Sequence, residues 1–349
     1  MASFAKFGND LYTGERSFNF VGRRKVWYII AAVMIVASVV GPALRGGFVF
    51  GIEFRGGSEF QVTQIADLND DLIANQDLAS ATVDAAVPNA SPRVTTVGND
   101  GLRVQTEQLT QSETSEVADG LATAFDVSEE NVSASFIGPS WGADITSSAI
   151  RALVVFLILA AIVMALYFRT WKMSVAAIVS LLHDIIITAG VYGILGFEIT
   201  PSAVIGFLTI LGYSLYDTVV VFDKIRENTS EDGPNSSRTF PESVNLAVNQ
   251  TLVRSINTGV VAALPVAAIL FIGAFVLGAD TLRDISLALL VGILVGTYST
   301  IFVAAPLYAQ LREREPKIRK QNERTLTERA RASSAGRPVD AVVETSPTA

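Results

Sequence analysis

The chain contains no cysteine and only one histidine, His183. The lack of cysteine excludes disulfides, thiolate catalysis and cysteine-bound metal, and a lone histidine cannot form a histidine cluster for metal. Only 17% of the residues are charged, whereas a soluble domain carries about a quarter. The chain also lacks a G-x-x-x-x-G-K-[ST] motif, so it has no P-loop ATPase site. We expect no enzyme activity, no cofactor, no metal and no nucleic-acid partner.

Long apolar segments are abundant instead, since half of the residues are hydrophobic. A helix of about 20 apolar residues crosses the roughly 30 Å hydrocarbon core of a bilayer. The first segment starts after Lys25 and has no A-x-A-like cleavage site near its end, so we expect it to be a retained membrane helix. The pattern predicts a polytopic α-helical membrane protein with six transmembrane helices, at residues 26–44, 148–168, 173–196, 199–222, 255–278 and 283–308.

Lysine and arginine are concentrated on one side of these predicted helices. They lie before helix 1, between helices 2 and 3, after helix 4 and after helix 6, and include Arg23, Arg24, Lys25, Arg169, Lys172, Lys224, Arg226, Arg312, Arg314, Lys317, Arg319 and Lys320. The opposite side has little positive charge, and residues 45–146 contain no lysine. Because cytoplasmic loops are enriched in lysine and arginine, we expect both termini in the cytoplasm and residues 45–146 on the extracytoplasmic side.

Residues 45–146 show the patterns of a folded α+β domain. The predicted elements are a strand through VFGIEF and SEFQVT, broken or bulged at 55–57, a helix at 70–86, a hairpin of RVTTV and LRVQTE around 98–101, a helix from Thr110 to Phe125, and a last strand at NVSASFI. Thr110 and Glu113 have the spacing of a capping box. The order β-α-β-β-α-β predicts a ferredoxin-like extracytoplasmic domain between helices 1 and 2.

Charge and composition define the remaining segments. Residues 1–25 are a cytoplasmic N-terminal segment, and residues 147–308 hold helices 2 to 6. Residues 223–254 form a polar cytoplasmic connection that contains Asp232-Gly233-Pro234-Asn235. Its second half has apolar residues at helical spacing and is predicted to continue into helix 5. Residues 309–349 are basic and are predicted to be a disordered cytoplasmic tail, because the chain after Arg324 has no hydrophobic period.

Asp217 lies inside the apolar stretch GYSLYDTVVVFD, near the predicted cytoplasmic end of helix 4. An ionisable group at membrane depth costs at least about 2–3 kcal/mol and normally faces the bundle interior or water. Burial favours the neutral form of a carboxyl group, and a nearby cation favours the charged form. A carboxyl group on which these two effects are balanced can exchange a proton when the cation moves. Arg254, at the start of helix 5, is the candidate partner. Alternatively, Asp217 is a solvated helix end and Arg254 is a positive-inside anchor.

His183 and Asp184 form a second polar pair, near the middle of helix 3. Their depth argues against a solvated helix end and predicts a buried, hydrogen-bonded pair. Such a pair either stabilises the bundle or carries protons, and the pattern does not separate these two roles. With buried charges and no nucleotide motif, an ion gradient is the available energy source, since each charge that crosses 100 mV yields about 2.3 kcal/mol.

Four stretches together resemble the SecF proteins of the SecD/SecF family, in the resistance-nodulation-division superfamily. They are FGIEFRGGSEF after helix 1, HDIIITAGVYGILGFEI in helix 3, IGFLTILGYSLYDTVVVFDKIREN in helix 4 and NQTLVRSINTG in helix 5. The resemblance implies an accessory subunit of the Sec protein translocase in the bacterial plasma membrane. Such a subunit uses the proton-motive force to promote the export of preproteins after SecA-driven translocation. The implied partners are SecD, the SecY/SecE/SecG translocon with SecA, the translocating preprotein and membrane lipids.

The resemblance also assigns roles to individual positions. It implies a role in proton relay or ion coupling for Asp217, Arg254, Asp184 and His183, and the role of Asp184 is the less defined. It implies a structural signature at Gly51, Glu53, Gly56 and Gly57, where glycines let the chain turn from the membrane into a strand. Whether the coupled ion is H⁺ or Na⁺ stays open.

Two other functions are compatible with the same residues. The first is a small-molecule or lipid exporter of the same superfamily, although such exporters usually have twice as many helices and two large outer domains in one chain. The second is a structural assembly factor in which the buried charges only fix helix packing. Neutralisation of Asp217 distinguishes a structural assembly factor from an ion-coupled export subunit. A packing role predicts loss of assembly, whereas a relay role predicts an assembled but inactive complex.

Overall fold

A computed structural model describes residues 2–66, 68, 71–98, 100–231, 238–273 and 280–334. The helices are α1 (Ala2–Thr13), α2 (Arg24–Leu44), α3 (Ile52–Arg55), α4 (Leu72–Ala86), α5 (Gln111–Ala124), α6 (Pro139–Phe168), α7 (Trp171–Leu195), α8 (Pro201–Glu231), α9 (Phe240–Phe271), α10 (Asp280–Ser299), α11 (Ala305–Glu313) and α12 (Pro316–Ser334). The strands are β1 (Val49–Phe50), β2 (Gly57–Val62), β3 (Arg93–Val97), β4 (Gly101–Thr106), β5 (Val132–Ile137) and β6 (Glu198–Ile199). A π-helical turn, Thr300–Ala304, joins α10 to α11, and a 3₁₀ turn, Glu129–Asn131, precedes β5.

Six helical segments are long and apolar enough to cross a membrane, which confirms the predicted number of candidate spans. They are Arg24–Leu44, Trp141–Phe168, Trp171–Leu195, Pro201–Ser230, Phe240–Phe271 and Thr281–Glu313. α7 lies at the centre of the bundle and packs against α2, α6, α8 and α10. Its contact with α2 is very close at Gly190, where a Cβ atom would lie 2.1 Å from the Cβ of Ser38. Small residues of this kind let membrane helices approach each other.

Several helices extend beyond the predicted apolar segments. α8 continues to Glu231, whereas the apolar pattern stops at residue 222, and α9 already begins at Phe240. α6 begins at Pro139, inside the region 45–146 that the sequence predicts as the outer domain. Hydropathy marks only the apolar part of a helix, and amphipathic turns continue the helix beyond it.

The polar connection 223–254 is therefore largely helical in its described part. Its second half belongs to α9, as the spacing predicts, and the Glu242 carboxylate begins this helix by accepting the backbone N–H of Thr239 at 2.9 Å. The predicted turn at residues 232–235 lies outside the described residues.

The N-terminal segment 1–25 contains structure that its composition does not reveal. α1 packs against α9, and Leu11 and Phe20 are buried in the main core of the bundle. The loop after α1 is fixed by two asparagines of α9. Asn249 Oδ1 accepts the backbone N–H of Phe18 at 2.7 Å, and Asn245 Oδ1 accepts that of Phe20 at 2.8 Å.

The region between the first two spans contains a four-stranded antiparallel sheet with the strand order β3-β4-β2-β5. We call residues 57–137 the sheet domain. Its elements follow the predicted order β-α-β-β-α-β, and its core joins the sheet to α4 and α5 through residues such as Phe60, Leu102, Val83 and Leu121. The predicted capping box is present at the start of α5, where Thr110 Oγ1 accepts the backbone N–H of Glu113 and the Glu113 carboxylate accepts that of Thr110.

The prediction of one interrupted strand through VFGIEF is wrong. Val49 and Phe50 form β1, which pairs in parallel with β6, and Ile52–Arg55 form the single-turn helix α3. One helical turn is too short to show a 3.6-residue period, so its alternation resembles a strand. Gly56, at φ 77°, ends the helix, and Gly57, at φ 145°, starts β2 with its Cα so close to β4 that a Cβ would lie 2.4 Å from the carbonyl oxygen of Thr106.

The prediction of a disordered tail at 309–349 is wrong for its described part. Residues 309–313 belong to α11, and Pro316–Ser334 form α12, which contacts α9 and α11. Ile318 and Thr325 are buried on this helix although its mean composition is strongly polar. A few well-placed contacts hold the helix, and a composition average cannot detect them. Residues 335–349 lie outside the described part of the chain.

Candidate functional site

Asp217 is buried at the centre of the bundle, on α8, with 4% of its surface exposed. Its Oδ1 accepts a hydrogen bond from Ser255 Oγ of α9 at 2.9 Å. Its Oδ2 is buried and has no hydrogen-bond partner in the described part of the chain. Because so little of Asp217 is exposed, its side chain is not solvated in this arrangement, and its Oδ2 is a buried acceptor without a donor among the described residues.

Asp184, on α7, is fully buried and lies within hydrogen-bond distance of two polar side chains. Ser214 Oγ donates to its Oδ2 at 2.5 Å, and His183 Nδ1 lies 3.1 Å from its Oδ1. If Nδ1 carries the proton, His183 Nε2 is an acceptor, and Nε2 is buried without a hydrogen-bond partner among the described residues. The imidazole stacks on Tyr298 of α10 with 6.0 Å between the ring centroids. His183 and Asp184 thus form the buried pair that their depth predicts.

Helix α8 connects the two carboxylates. Ser214, which contacts Asp184, and Asp217 are three positions apart, so they lie on the same face of α8, one turn from each other. Gly296 of α10 leaves room at this point, because a Cβ there would lie 3.1 Å from Ser214 and 3.6 Å from Asp184 Oδ2. Two buried carboxylates, two hydroxyls and an imidazole therefore form one polar layer inside an apolar bundle.

A π-helical turn borders this layer. Thr300, the first residue of the turn, lies 3.0 Å from Thr218 of α8 through their hydroxyl oxygens. π-turns inside α-helices are rare and occur often at functional sites. The turn places a further buried hydroxyl beside the Asp217 helix.

Arg254, the candidate partner of Asp217, does not pair with it directly in the described chain. It is exposed on α9, and within the described chain no carboxylate lies within 4.0 Å of it. The neighbouring Ser255 contacts Asp217 instead. In a helical bundle, consecutive residues point about 100° apart, so Ser255 faces the core while Arg254 faces outward. Its predicted role in coupling stays a prediction.

Sequence reasoning missed the hydroxyl partners of both carboxylates. Ser214 could have been found, because it precedes Asp217 by one helical turn in GYSLYDT. Ser255 and Thr218 show no comparable signal, since hydroxyl residues are common in membrane helices and the contact depends on how two helices are rotated against each other.

The signature residues after the first span lie far from this layer, at the base of the sheet domain. The backbone N–H of Gly51 donates to the carbonyl oxygen of Ile199 at 3.0 Å and so connects α3 to the α7–α8 loop. Glu53 is half-buried on α3, and its Oε2 has no hydrogen-bond partner among the described residues. The structure thus places three of the eight predicted site residues in the polar layer and four at the base of the sheet domain, while Arg254 lies on the outer face of α9.

Sequence comparison gives a consistent set of relatives. The family model "Protein export membrane protein SecD/SecF, C-terminal" matches residues 117–314. The SecF subunit of the protein translocase from Streptomyces coelicolor is 42% identical over 347 residues, which cover 99% of this chain and 90% of that protein. The SecF subunit from Mycobacterium tuberculosis is 40% identical over 341 residues, which cover 95% of this chain and 75% of that protein.

A solved structure is similar over most of the chain. The crystal structure of SecDF from Thermus thermophilus, described as a translocon-associated membrane protein, superposes with a TM-score of 0.74 at 31% identity. The match covers 86% of this chain but only 39% of the SecDF chain. This chain therefore spans less than half the length of that relative.

Proposed function

Because the chain belongs to the SecD/SecF family of protein-export membrane proteins, we propose that it is an accessory subunit of the Sec protein translocase. In this role it uses the proton-motive force, together with SecD, to promote preprotein export after SecA-driven translocation. It acts without catalysing a covalent reaction and needs no cofactor. The single observation that carries ion coupling is the buried carboxylate of Asp217, with one oxygen held by Ser255 and the other without a hydrogen-bond partner in the part of the chain that the structure describes.

The proposed setting is the plasma membrane, with both termini in the cytoplasm. The sheet domain is then an extracytoplasmic ferredoxin-like domain, a proposal supported by its strand order and by the scarcity of positive charge in residues 45–146. A SecD partner is supported by the SecDF relatives, in which both names are combined in one chain. The proposed further partners are the SecY/SecE/SecG translocon with SecA, the preprotein and membrane lipids, and we propose no nucleic-acid partner.

The proposed mechanism relies on the polar layer of the bundle. A proton that binds Asp217 at Oδ2 converts this acceptor into an O–H donor and removes a buried negative charge, so the protonated and the charged states favour different helix arrangements. A proton that crosses about 100 mV supplies about 2.3 kcal/mol, which is enough to bias such a two-state movement. Arg254, exposed beside Ser255, is available to a second chain such as SecD.

The test is the substitution Asp217→Asn, which keeps the size and the hydrogen-bonding capacity but cannot carry charge or release a proton. We expect SecD to co-purify with the variant, while the export rate falls to the rate measured after the gradient has been collapsed. Asp223→Asn is the matched control, because Asp223 lies on the same helix but is exposed. It should export preproteins at the original rate.

Two outcomes contradict the proposal in different ways. Unchanged gradient-dependent export in Asp217→Asn shows that the carboxylate carries no coupled proton. Loss of SecD from the purified complex shows that Asp217 acts in assembly, which supports the structural alternative.

A further inference from the structure

Three glutamates from separate elements meet where the sheet domain rests on the membrane helices. Glu53 belongs to α3, Glu59 to β2 of the sheet domain, and Glu198 to β6 between α7 and α8. β6 pairs in parallel with β1, which leads directly into α3. The glutamates therefore connect the base of the sheet domain to a loop between two membrane helices.

One glutamine joins two of these glutamates. Gln105 Nε2, on β4, donates to Glu59 Oε2 and to Glu198 Oε2, at 3.1 Å in both cases. This double contact fixes the orientation of the amide, because a flipped amide would point its oxygen at two carboxylates. Glu198 belongs to the membrane base and Glu59 to the domain, so Gln105 holds the two parts together.

Two of the three carboxylates have an arginine within 4.0 Å, and the third has no arginine or lysine at that distance in the described chain. Arg103 Nε lies 3.5 Å from Glu59 Oε1, and Arg93 Nε lies 3.7 Å from Glu198 Oε1. Glu53 forms no ion pair within 4.0 Å in the described chain, although Arg103 is near enough to act on it electrostatically. The cluster thus has more negative charge than its arginines can pair directly.

Several acceptor atoms of the cluster have no hydrogen-bond donor among the described residues. Glu53 Oε2, Glu198 Oε1 and Gln105 Oε1 are buried acceptors without a hydrogen-bond partner among the described residues. Gln105 is 3% exposed, so solvent does not reach its amide freely. A buried acceptor without a donor costs about 1–3 kcal/mol. One proton on a glutamate would add an O–H donor and remove a negative charge.

We propose that Glu53, Glu59, Glu198 and Gln105 form a proton-binding site at the base of the sheet domain, and that proton binding there holds the domain on the membrane helices. Loss of the proton restores the third negative charge and weakens this contact. The inference rests on the proposed function only for the statement that the site faces the acidic side of the membrane.

The environment of Glu53 sets the direction of the pH response. Burial raises the pKa of its carboxyl above the ordinary value, and a backbone N–H of its own helix opposes this effect. The charges of Glu59 and Glu198 raise the pKa further, and Arg103 lowers it in part. Because the docked state binds the proton more tightly, docking is favoured at low pH and is lost as the pH rises through the raised pKa.

Two further charged groups near α3 are exposed. Arg55 lies on α3 itself, and Asp144 lies on α6, which packs against α3, where it lines a surface groove together with Phe54. Neither contributes to the shift in the pKa of Glu53. The pH response therefore depends on the carboxylates of the cluster and their arginines.

The test measures the docking of the domain in the full chain. The chain has no cysteine, so spin labels can be attached to Glu116→Cys on the sheet domain and Thr281→Cys on α10, both at exposed positions. Distances between the labels are measured by pulsed electron spin resonance in lipid nanodiscs over a series of pH values that runs upward from mildly acidic buffer. We expect one narrow distance distribution at low pH and a second, longer population as the pH rises.

Variants identify the group that titrates. Glu53→Gln, which imitates the protonated carboxyl, should keep the narrow distribution at every pH, and Glu53→Asp should keep a pH response with a shifted midpoint. Glu130→Gln, an exposed glutamate of the sheet domain, is the matched control and should respond like the unsubstituted chain. An unchanged distribution across the pH range, or the same response in Glu53→Gln, overturns the proposal.

A titration with NaCl or choline chloride at the highest pH separates the ligands. If Na⁺ restores the narrow distribution and choline does not, the cluster binds a metal cation and the assignment of a proton is wrong. The measurement uses the isolated chain and no export assay. A negative result in the distance measurement can therefore be distinguished from failure of the proposed function, which is tested by the export rate of the Asp217→Asn variant.

Discussion

Ser255 is the residue that fixes the position of Asp217. Its hydroxyl donates from α9 to a carboxylate on α8, so one hydrogen bond joins two membrane helices at the polar layer. A hydrogen bond to a charged group contributes about 1.5–3 kcal/mol, and more is lost when a buried acceptor stays without a donor. Ser255 is thus a positioning residue for the proposed coupling group.

Replacement of this hydroxyl tests the positioning role. We expect Ser255→Ala to slow gradient-driven export about tenfold or more, since about 1.4 kcal/mol corresponds to a factor of ten. Ser255→Thr keeps the hydroxyl and should restore most of the rate. Ser286→Ala is the matched control, because the buried Ser286 hydroxyl bonds only to backbone carbonyls of its own helix. Equal rates for Ser255→Ala and the unsubstituted chain would show that Asp217 needs no fixed position.

Residues of the central site differ in how visible they are in the sequence. Asp217 and Asp184 are visible because a carboxylate in an apolar run is costly and therefore rare. Similar depth makes Arg254 a candidate partner of Asp217, but depth says nothing about the direction in which a helical residue points. The rotation of α9, which turns Ser255 inward, follows from packing of the whole bundle and cannot be derived from a local stretch.

At the scale of elements, α12 covers the start of α9. Asn322 Oδ1 accepts the backbone N–H of Phe240 at 2.9 Å, which satisfies one of the free donors at a helix N-terminus. Arg329 contacts both oxygens of Glu242, at 2.9 Å and 2.7 Å, in a bidentate pair. Glu242 in turn accepts the N–H of Thr239, so one carboxylate begins α9 and holds α12.

The Arg329–Glu242 pair should control how firmly α12 is bound. The pair is partly exposed, so it contributes up to about 1 kcal/mol, or about fivefold in the opening equilibrium. We expect Arg329→Met to accelerate trypsin cleavage between Lys317 and Arg324 by up to that factor. Arg331→Met, an exposed arginine of the same helix, is the control and should leave the rate unchanged.

The same pair gives α12 a pH dependence. Burial alone would raise the pKa of Glu242, but hydrogen bonds from Arg329 and Thr239 outweigh it and hold the pKa below its ordinary value. Because the pKa of Glu242 is lowered in the folded chain, its carboxylate stabilises the contact at every pH above the ordinary pKa. This stabilisation is lost as the pH falls through the lowered pKa. Cleavage in α12 that is insensitive to acidification would contradict this role of Glu242.

Sequence patterns predict which helices and strands this chain forms better than they predict where each of them begins and ends. The six apolar spans and the order of helices and strands along the sheet domain follow from hydropathy and alternation, which depend on many residues. α3 has a single turn, and α12 depends on contacts of Asn322 and Arg329 with another helix. Neither feature produces a period long enough to detect, which explains both wrong predictions.

At the scale of the whole molecule, the two groups of ionisable residues lie in different regions. Asp217 and Asp184 belong to the polar layer in the bundle, whereas Glu53 and Glu198 lie at the base of the sheet domain. β6 and α8 follow each other directly, so the glutamate cluster and the Asp217 helix are joined by a short stretch of chain. A change in domain docking can therefore act on the helix that carries the proposed coupling group, provided that the sheet domain faces the acidic side.

That orientation can be measured directly because the chain has no cysteine. Glu116→Cys places a thiol on the exposed surface of the sheet domain, and Glu328→Cys places one on the exposed surface of α12. From the distribution of lysine and arginine, we expect a membrane-impermeant maleimide to label the first variant in intact spheroplasts and the second only after lysis. Labelling of Glu328→Cys in intact spheroplasts would show that the topology is the opposite of the expected one. The glutamate cluster would then face the cytoplasm, where the gradient offers it no excess of protons to bind.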